Sequence, residues 1–313
     1  MKKLVSIVTP FYNEELTIPL FYQELDVIFA QLPKYDFEVV CVNDGSHDKT
    51  NTLLEELSLS DERYRLIELS RNFGKEAALS AGIDNAIGQA VIPFDADLQD
   101  PPELIITMLA QWEAGAEVVL AKRIDRSTDS FLKRKSAQFF YRIHNAFSSI
   151  TIPNNVGDFR LMDRIVVDAL RQLREQNRFM KGLFAWLGFR TVTIEYARRV
   201  RVGGSSKFSG WKLWNLALEG VTSFGSAPLR FWTYIGLIGT FLSLLYAFFI
   251  IFRTLIFGIV LPGYASLLVI VLFFGSIQLI SIGMLGEYIG RIYTESKNRP
   301  IYIIRKKYGK RLS

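Results

Sequence analysis

Near the C-terminus, Thr233–Phe252 runs for 20 residues without a charge, and Ala265–Gly286 runs for another 22. At about 1.5 Å per residue, either stretch as a helix spans roughly the 30 Å hydrocarbon layer of a bilayer. A buried core helix tolerates one such run. Two of them, joined by the uncharged connector Thr254–Tyr264, point instead to a pair of membrane spans. Arg230 and Arg253 flank the first span, while Arg291, Lys297, Arg299 and the Arg305–Lys307 run follow the second. The excess of positive charge on the cytoplasmic side of membrane proteins then predicts the orientation of a multi-pass membrane protein. The large N-terminal part and the C-terminus would be cytoplasmic, with Arg253 as the exception. Gln278 and Ser281 are polar groups that could hydrogen-bond from the second span to the first.

The net charge of +6 has one source. From Glu287 onward there are eight basic residues and two acidic ones, so the rest of the chain is neutral. A basic tail beside a span suits anionic lipid headgroups. No recognition motif accompanies the charge, which argues against nucleic acid. Cys41 is the sole cysteine, which excludes an intrachain disulfide and a cysteine metal cluster. Met1-Lys2-Lys3 followed by Leu4–Val8 superficially resembles a signal peptide. Its apolar run is too short and ends at Pro10 and Asn13, so a first buried strand is the better reading.

Up to about Arg199 the chain alternates short apolar runs with amphipathic stretches. Leu4–Thr9, Phe37–Val42, Arg65–Leu69, Ala90–Phe94 and Glu117–Leu120 read as strands, with helices over Glu14–Gln31, from about Asp48, and between the later strands. This pattern predicts an α/β fold with a mostly parallel central sheet, whose ligands bind at the C-terminal ends of the strands. Four regions follow: a cytoplasmic catalytic domain over 1–208, a membrane-interface region over 209–230, two transmembrane helices over 231–290, and a basic cytoplasmic tail over 291–313. In the second region Trp211, Trp214, Leu218 and Val221 share one helical face. That face suits either the headgroup layer or the surface of the globular domain.

The chemistry concentrates at Pro93-Phe94-Asp95-Ala96-Asp97-Leu98-Gln99-Asp100-Pro101-Pro102. Residues two apart in extended chain point the same way, so Asp95 and Asp97 present two carboxylates on one side and Gln99 adds a neutral oxygen. Paired carboxylates repel unless a cation or a hydrogen-bond donor intervenes, and hard oxygen ligands beside a diphosphate suit Mg²⁺ or Mn²⁺. An Asp-x-Asp alone can equally be a solvated turn or helix cap, for which Asp100-Pro101-Pro102 is a good signature. Three further strand ends could wall a pocket beside it: Thr9–Glu15, Val42–Ser46 and Ser70–Lys75. Gly74-Lys75 lacks the glycine and Ser/Thr of a P-loop. His47 and His144 read as solvated or structural.

In order and spacing these segments resemble glycosyltransferase family 2, which has the GT-A fold. The likeness extends over the whole chain to the polyprenyl-phosphate glycosyltransferases. Asn72–Glu76, Gly157–Met162 and Gly286–Arg291 are similar to the bactoprenol glucosyl transferases of phage-encoded O-antigen glucosylation. The resemblance implies inverting transfer of a hexose, glucose above all, from a UDP-sugar to undecaprenyl phosphate. It assigns Pro10, Tyr12, Glu14 and Asp44 to nucleotide binding, with Val42, Lys75, Asp95 and Ala96 beside them. It assigns Asp97, Gln99 and Asp95 to the metal, with Asp97 the principal ligand and Asp95 closer to the nucleotide. Asp158 matches the position of the catalytic base, and Arg201–Lys207 resembles the acceptor loop.

A phosphate monoester is mostly a dianion at neutral pH, so it needs alignment more than a base. Asp158 can therefore orient the sugar or the phosphate, or it can be a turn residue after Gly157. Two anions brought together need cations, and Arg123, Arg134, Arg201, Ser206 and Lys207 are candidates to hold the acceptor phosphate. Isolated spans commonly pack against neighbours, so a homo-oligomer is compatible with the chain. Two other functions stay open. A processive polysaccharide synthase would carry Gln-x-x-Arg-Trp, of which Arg230-Phe231-Trp232 is the nearest echo. A non-catalytic nucleotide-sugar-binding membrane subunit sits poorly with the full acidic set Asp44, Asp95, Asp97 and Asp158.

Overall fold

The computed structural model of the protein describes residues 2–124, 156–197 other than 174, 177 and 179, parts of 235–258, and 263–309. The strands are β1 (Lys3–Phe11), β2 (Tyr35–Asn43), β3 (Tyr64–Leu69), β4 (Ala90–Pro93), β5 (Val118–Arg123), β6 (Val156–Asp163), β7 (Thr191–Tyr196) and β8 (Ile304–Tyr308). They form one 8-stranded sheet in the order β7-β5-β6-β4-β1-β2-β3-β8. Strands β1 to β4 are mutually parallel, and β5 pairs in parallel with β7. Only β6 and β8 run against their neighbours. The expected mostly parallel α/β sheet is therefore present.

The central strands are buried on both faces because their residues alternate between two cores. Ile7 packs with α1 (Ile18–Gln31), α2 (Thr50–Ser60) and α4 (Leu104–Glu113). Its neighbour Val8 packs with α3 (Lys75–Asn85), α5 (Arg164–Gln172) and α6 (Met180–Trp186). This layering explains the nearly unbroken apolar runs that marked the first strands. In the first core a line of rings, Phe11–Phe21–Phe94–Phe159, has centroid separations of 5.3, 6.1 and 5.2 Å. It fixes the ends of β1, β4 and β6 relative to one another.

Helix α3 lies unusually close to the sheet. A Cβ added at Gly82 would come within 2.2 Å of Val8 Cγ1. At its C-terminal end, Arg171 Nη2 donates to the carbonyls of Ile83, Asp84 and Ala86 at 2.8, 2.8 and 2.7 Å. Cations satisfy the last carbonyls and complement the helix dipole. With its far end held in this way, α3 aims its N-terminus, Gly74 and Lys75, across the C-terminal ends of the strands.

None of β6, β7 and β8 is among the strands expected from the sequence. The last of these lies within the basic 291–313 segment, where Ile304–Tyr308 pairs with β3 at the edge of the sheet. Its basic residues face partners on the domain, with Arg305 3.1 Å from Glu68 and Lys307 2.7 Å from Asn85. Charged side chains on an edge strand also discourage further strand pairing.

The 33-residue helix α7 (Tyr264–Ser296) contains the second expected span. Among the described residues, only its Phe273–Ser296 segment is long and apolar enough to cross a membrane, with mean hydropathy 1.2 and none of it buried. A second span is not confirmed among the described residues. Between 235 and 257 the described residues are mostly helical, and a Cβ added at Gly239 would lie 3.2 Å from the Phe274 ring. The Ser281 hydroxyl donates within its own helix, to Ile277 O at 2.9 Å. The interface region 209–230 lies outside the described residues.

Candidate active site

The C-terminal ends of β1 to β4 enclose a cleft of about 300 Å³ lined by Pro10, Tyr12, Glu14, Asp44, Lys75, Asp95, Ala96 and Asp97, together with Phe11, Asn72 and Gly74. One wall is a set of interlocked turns. Asn13 N donates to Ser46 Oγ at 3.0 Å, His47 N to Asn13 Oδ1 at 2.9 Å, and Glu14 N to Thr50 Oγ1 at 2.9 Å. Gly45 sits there at φ 68°, and a Cβ on it would come 2.5 Å from Asn72 N. Only glycine meets both demands. Tyr12 stands exposed at the mouth.

Asp44 is buried and faces the cleft, but its carboxylate already has partners. Oδ1 accepts from Phe73 N at 2.7 Å and Oδ2 from Gly74 N at 2.9 Å. Burial raises its pKa, against the opposing pull of those two amides and Arg71. Asp44 thus shapes the turn that leads into Lys75. Val42 departs from expectation. Its side chain is fully buried against α3 and does not reach the cleft, because its position in the β2 alternation faces the second core.

The acidic segment alternates as expected. Asp95, Asp97 and Gln99 are partly exposed, whereas Ala96, Leu98 and Asp100 are buried. Gln99 N donates to Asp97 Oδ1 at 3.2 Å, which folds the turn and leaves Gln99 outside the lining of the cleft. Lys75 Nζ lies 2.7 Å from Asp95 Oδ1 and 3.0 Å from Asp158 Oδ2. Burial opposes the charge on Lys75, but Asp95 and Asp158 outweigh it and raise its pKa.

Asp158 is therefore no turn residue; it sits on β6, beside Phe159 of the ring line. Arg160, two residues on, is buried and reaches back to Gly157 O at 2.7 Å and Asp158 O at 3.3 Å. Its guanidinium lies 3.8 Å from the centre of the Phe184 ring, and burial lowers its pKa to about 10. Arg123 is half-buried and engaged by two neighbours. Its Nε donates to Tyr196 Oη at 3.1 Å and its Nη2 lies 3.5 Å from Asp100 Oδ1. Arg134, Arg201, Ser206 and Lys207 lie outside the described residues.

Sequence reasoning missed Asp100, Arg160 and Tyr196. The period-two run Thr191–Tyr196 was the available signal for β7, and hence for Tyr196 at its end. Among the described residues no cluster of three His, Cys, Asp or Glu side chains could hold a metal by itself. The donor chemistry nevertheless fits Mg²⁺ or Mn²⁺. The Asp95 and Asp97 carboxylates supply hard oxygens, and such ions usually leave their other positions to phosphate and water.

The glycosyl transferase family 2 model matches residues 6–171, a stretch that holds most of β1, all of β2 to β4, the cleft and Asp158. The chain belongs to glycosyl transferase family 2. This family 2 glycosyltransferase is 55% identical over 304 residues to the SfII prophage-derived bactoprenol glucosyl transferase of Shigella flexneri, covering 97% of this chain and 98% of that one. It is 52% identical to a prophage bactoprenol glucosyl transferase homolog of Escherichia coli, over 96% and 98% of the two chains. A solved mannosyltransferase from Pyrobaculum calidifontis, in complex with GDP-Man and Mn²⁺, aligns over 70% of this chain and 61% of its own. At 21% identity and a TM-score of 0.43, that likeness assigns no residue a role. The GT-A-like sheet and the enzyme class follow from the family itself.

Proposed function

We propose that the enzyme transfers glucose, with inversion, from UDP-glucose to undecaprenyl phosphate at the cytoplasmic face of the bacterial inner membrane. The product would be a lipid-linked sugar that donates to a surface glycan such as O-antigen. The observation that carries this reading is the 55% identity to a bactoprenol glucosyl transferase along nearly the full length of both chains. The exposed apolar surface of α7, including Leu279, Ile282, Leu285 and Ile289, supports membrane anchorage, and in this reading the helical residues of 235–257 supply a second span.

In this reading Tyr12 covers the base, while Pro10, Glu14 and Asp44 shape the nucleotide side of the cleft. Asp97 would hold the metal, with Asp95 and Gln99 beside it. A divalent cation, when bound, supplies Lewis acidity at the leaving diphosphate. An acceptor phosphate oxygen bonds to the anomeric carbon as the bond from that carbon to the UDP oxygen breaks. Because the phosphate is already a dianion, Asp158 need not take a proton; it orients the reacting groups while Lys75 offsets its charge. Arg134, Arg201, Ser206 and Lys207 remain the proposed acceptor-phosphate ligands. Arg123 gives up that role for the one argued below. A donor screen with membranes, undecaprenyl phosphate and Mg²⁺ or Mn²⁺ tests the proposal. UDP-glucose should be the preferred donor, and preference for another nucleotide sugar would overturn the choice of sugar.

A further inference from the structure

The loop between β4 and α4 carries Asp95, Asp97 and Gln99, and it contains a non-glycine residue in the left-handed region, Leu98 at φ 53°. Such a conformation persists only where the surroundings over-determine it. One end of the loop is fixed by Phe94, whose amide donates to Val8 O at 2.9 Å and whose ring packs between Phe21 and Phe159. The other end is fixed by Asp100. Its carboxylate is buried, and the residue precedes the N-cap of α4, Glu103. Asp100 Oδ1 accepts from Tyr196 Oη, and Arg123 lies against both groups. Arg123 and Tyr196 are register partners at the C-terminal ends of β5 and β7. Two sheet strands therefore end at one buried carboxylate of the acidic loop.

We infer that Asp100, Tyr196 and Arg123 form a positioning triad that holds the Asp95–Gln99 loop in the shape that presents Asp97 to a divalent cation. Tyr196 touches no substrate; it acts through Asp100. A turn-forming Asp100 would point to solvent, whereas a buried carboxylate needs partners, and the triad supplies them. The inference rests on the reading of Asp97 as a metal ligand.

The test uses the full-length protein in detergent with UDP present. Mn²⁺ binding is read from the electron paramagnetic resonance signal of the free ion, and melting is followed in parallel. Tyr196→Phe keeps the ring and removes only the hydroxyl. It should weaken Mn²⁺ binding about tenfold, with the metal needed for half-maximal transfer rising by a similar factor and the melting midpoint shifting by only a few degrees. Asp100→Asn should act in the same direction if Tyr196→Phe folds poorly. Unchanged Mn²⁺ affinity in a folded variant would overturn the triad and leave the metal reading intact. Absence of Mn²⁺ binding by the unsubstituted enzyme would overturn both.

Discussion

Lys75 and Asp158 meet across the cleft, Nζ to Oδ2 at 3.0 Å, and the same ammonium lies 2.7 Å from Asp95 Oδ1. One cation on the first turn of α3 therefore joins a carboxylate of the acidic loop to a carboxylate of an antiparallel strand that enters the sheet far later in the chain.

Lys75→Met should lower kcat on the order of a hundred-fold, since it removes a fixed charge from beside the reacting groups. Lys75→Arg should recover part of the loss. Steady-state kinetics on purified enzyme would check this, and near-normal turnover in Lys75→Met would show the bridge to be incidental. The sign of the pH dependence follows from the raised pKa. The lysine's contribution is fully present below its ordinary value of about 10.4 and is lost only as pH rises through the folded one. The bridge should therefore persist throughout the neutral range.

Asp97→Ala should abolish transfer and remove the response to added metal. Asp158→Asn should bind UDP-sugar normally while transferring it slowly. Donor binding by calorimetry separates the two variants, and full transfer by Asp97→Ala would remove the metal from this account.

Gly45→Ala should destabilise the domain by about 2–4 kcal/mol, because the new methyl meets backbone at a left-handed position. Chemical denaturation would measure it, and a change below about half a kcal/mol would mean that the Asn72 turn yields easily.

Asp44→Asn leaves one acceptor oxygen for two amides and should cost about 1–3 kcal/mol. Burial raises the pKa of this carboxyl, so its contribution to stability is fully present below the unfolded value and fades as pH rises through the folded one. The cost of the substitution should thus be larger near pH 4 than near pH 7. Denaturation of both proteins at the two pH values gives the comparison, and a cost that grows with pH would reverse the assignment.

Much of the framework was legible in the sequence because the parallel strands are buried on both faces and appear as unbroken apolar runs. The alternation of Asp95, Asp97 and Gln99 was legible for a related reason, since burial follows the direction of each side chain. What escaped was whatever depends on distant partners. Gly157-Asp158 looks like a turn, and becomes strand only because β5 pairs with Val156 and Arg160 on either side of it. Ile304–Tyr308 looks like a basic tail, since an edge strand can carry charge on its open side. Arg123 looks like a free phosphate ligand until Tyr196 and Asp100 are beside it. Val42 shows the opposite error, a residue near the right motif but on the wrong side of its strand.

The central claim is that this cleft passes a single sugar from a nucleotide to a lipid phosphate. The most direct measurement is UDP release by the purified full-length enzyme from UDP-glucose, with and without undecaprenyl phosphate and Mg²⁺ or Mn²⁺, alongside chromatography of the lipid product. The account predicts release only when lipid and metal are both present, with one sugar per lipid. Release without the lipid, or a product that grows into a polymer, would contradict it.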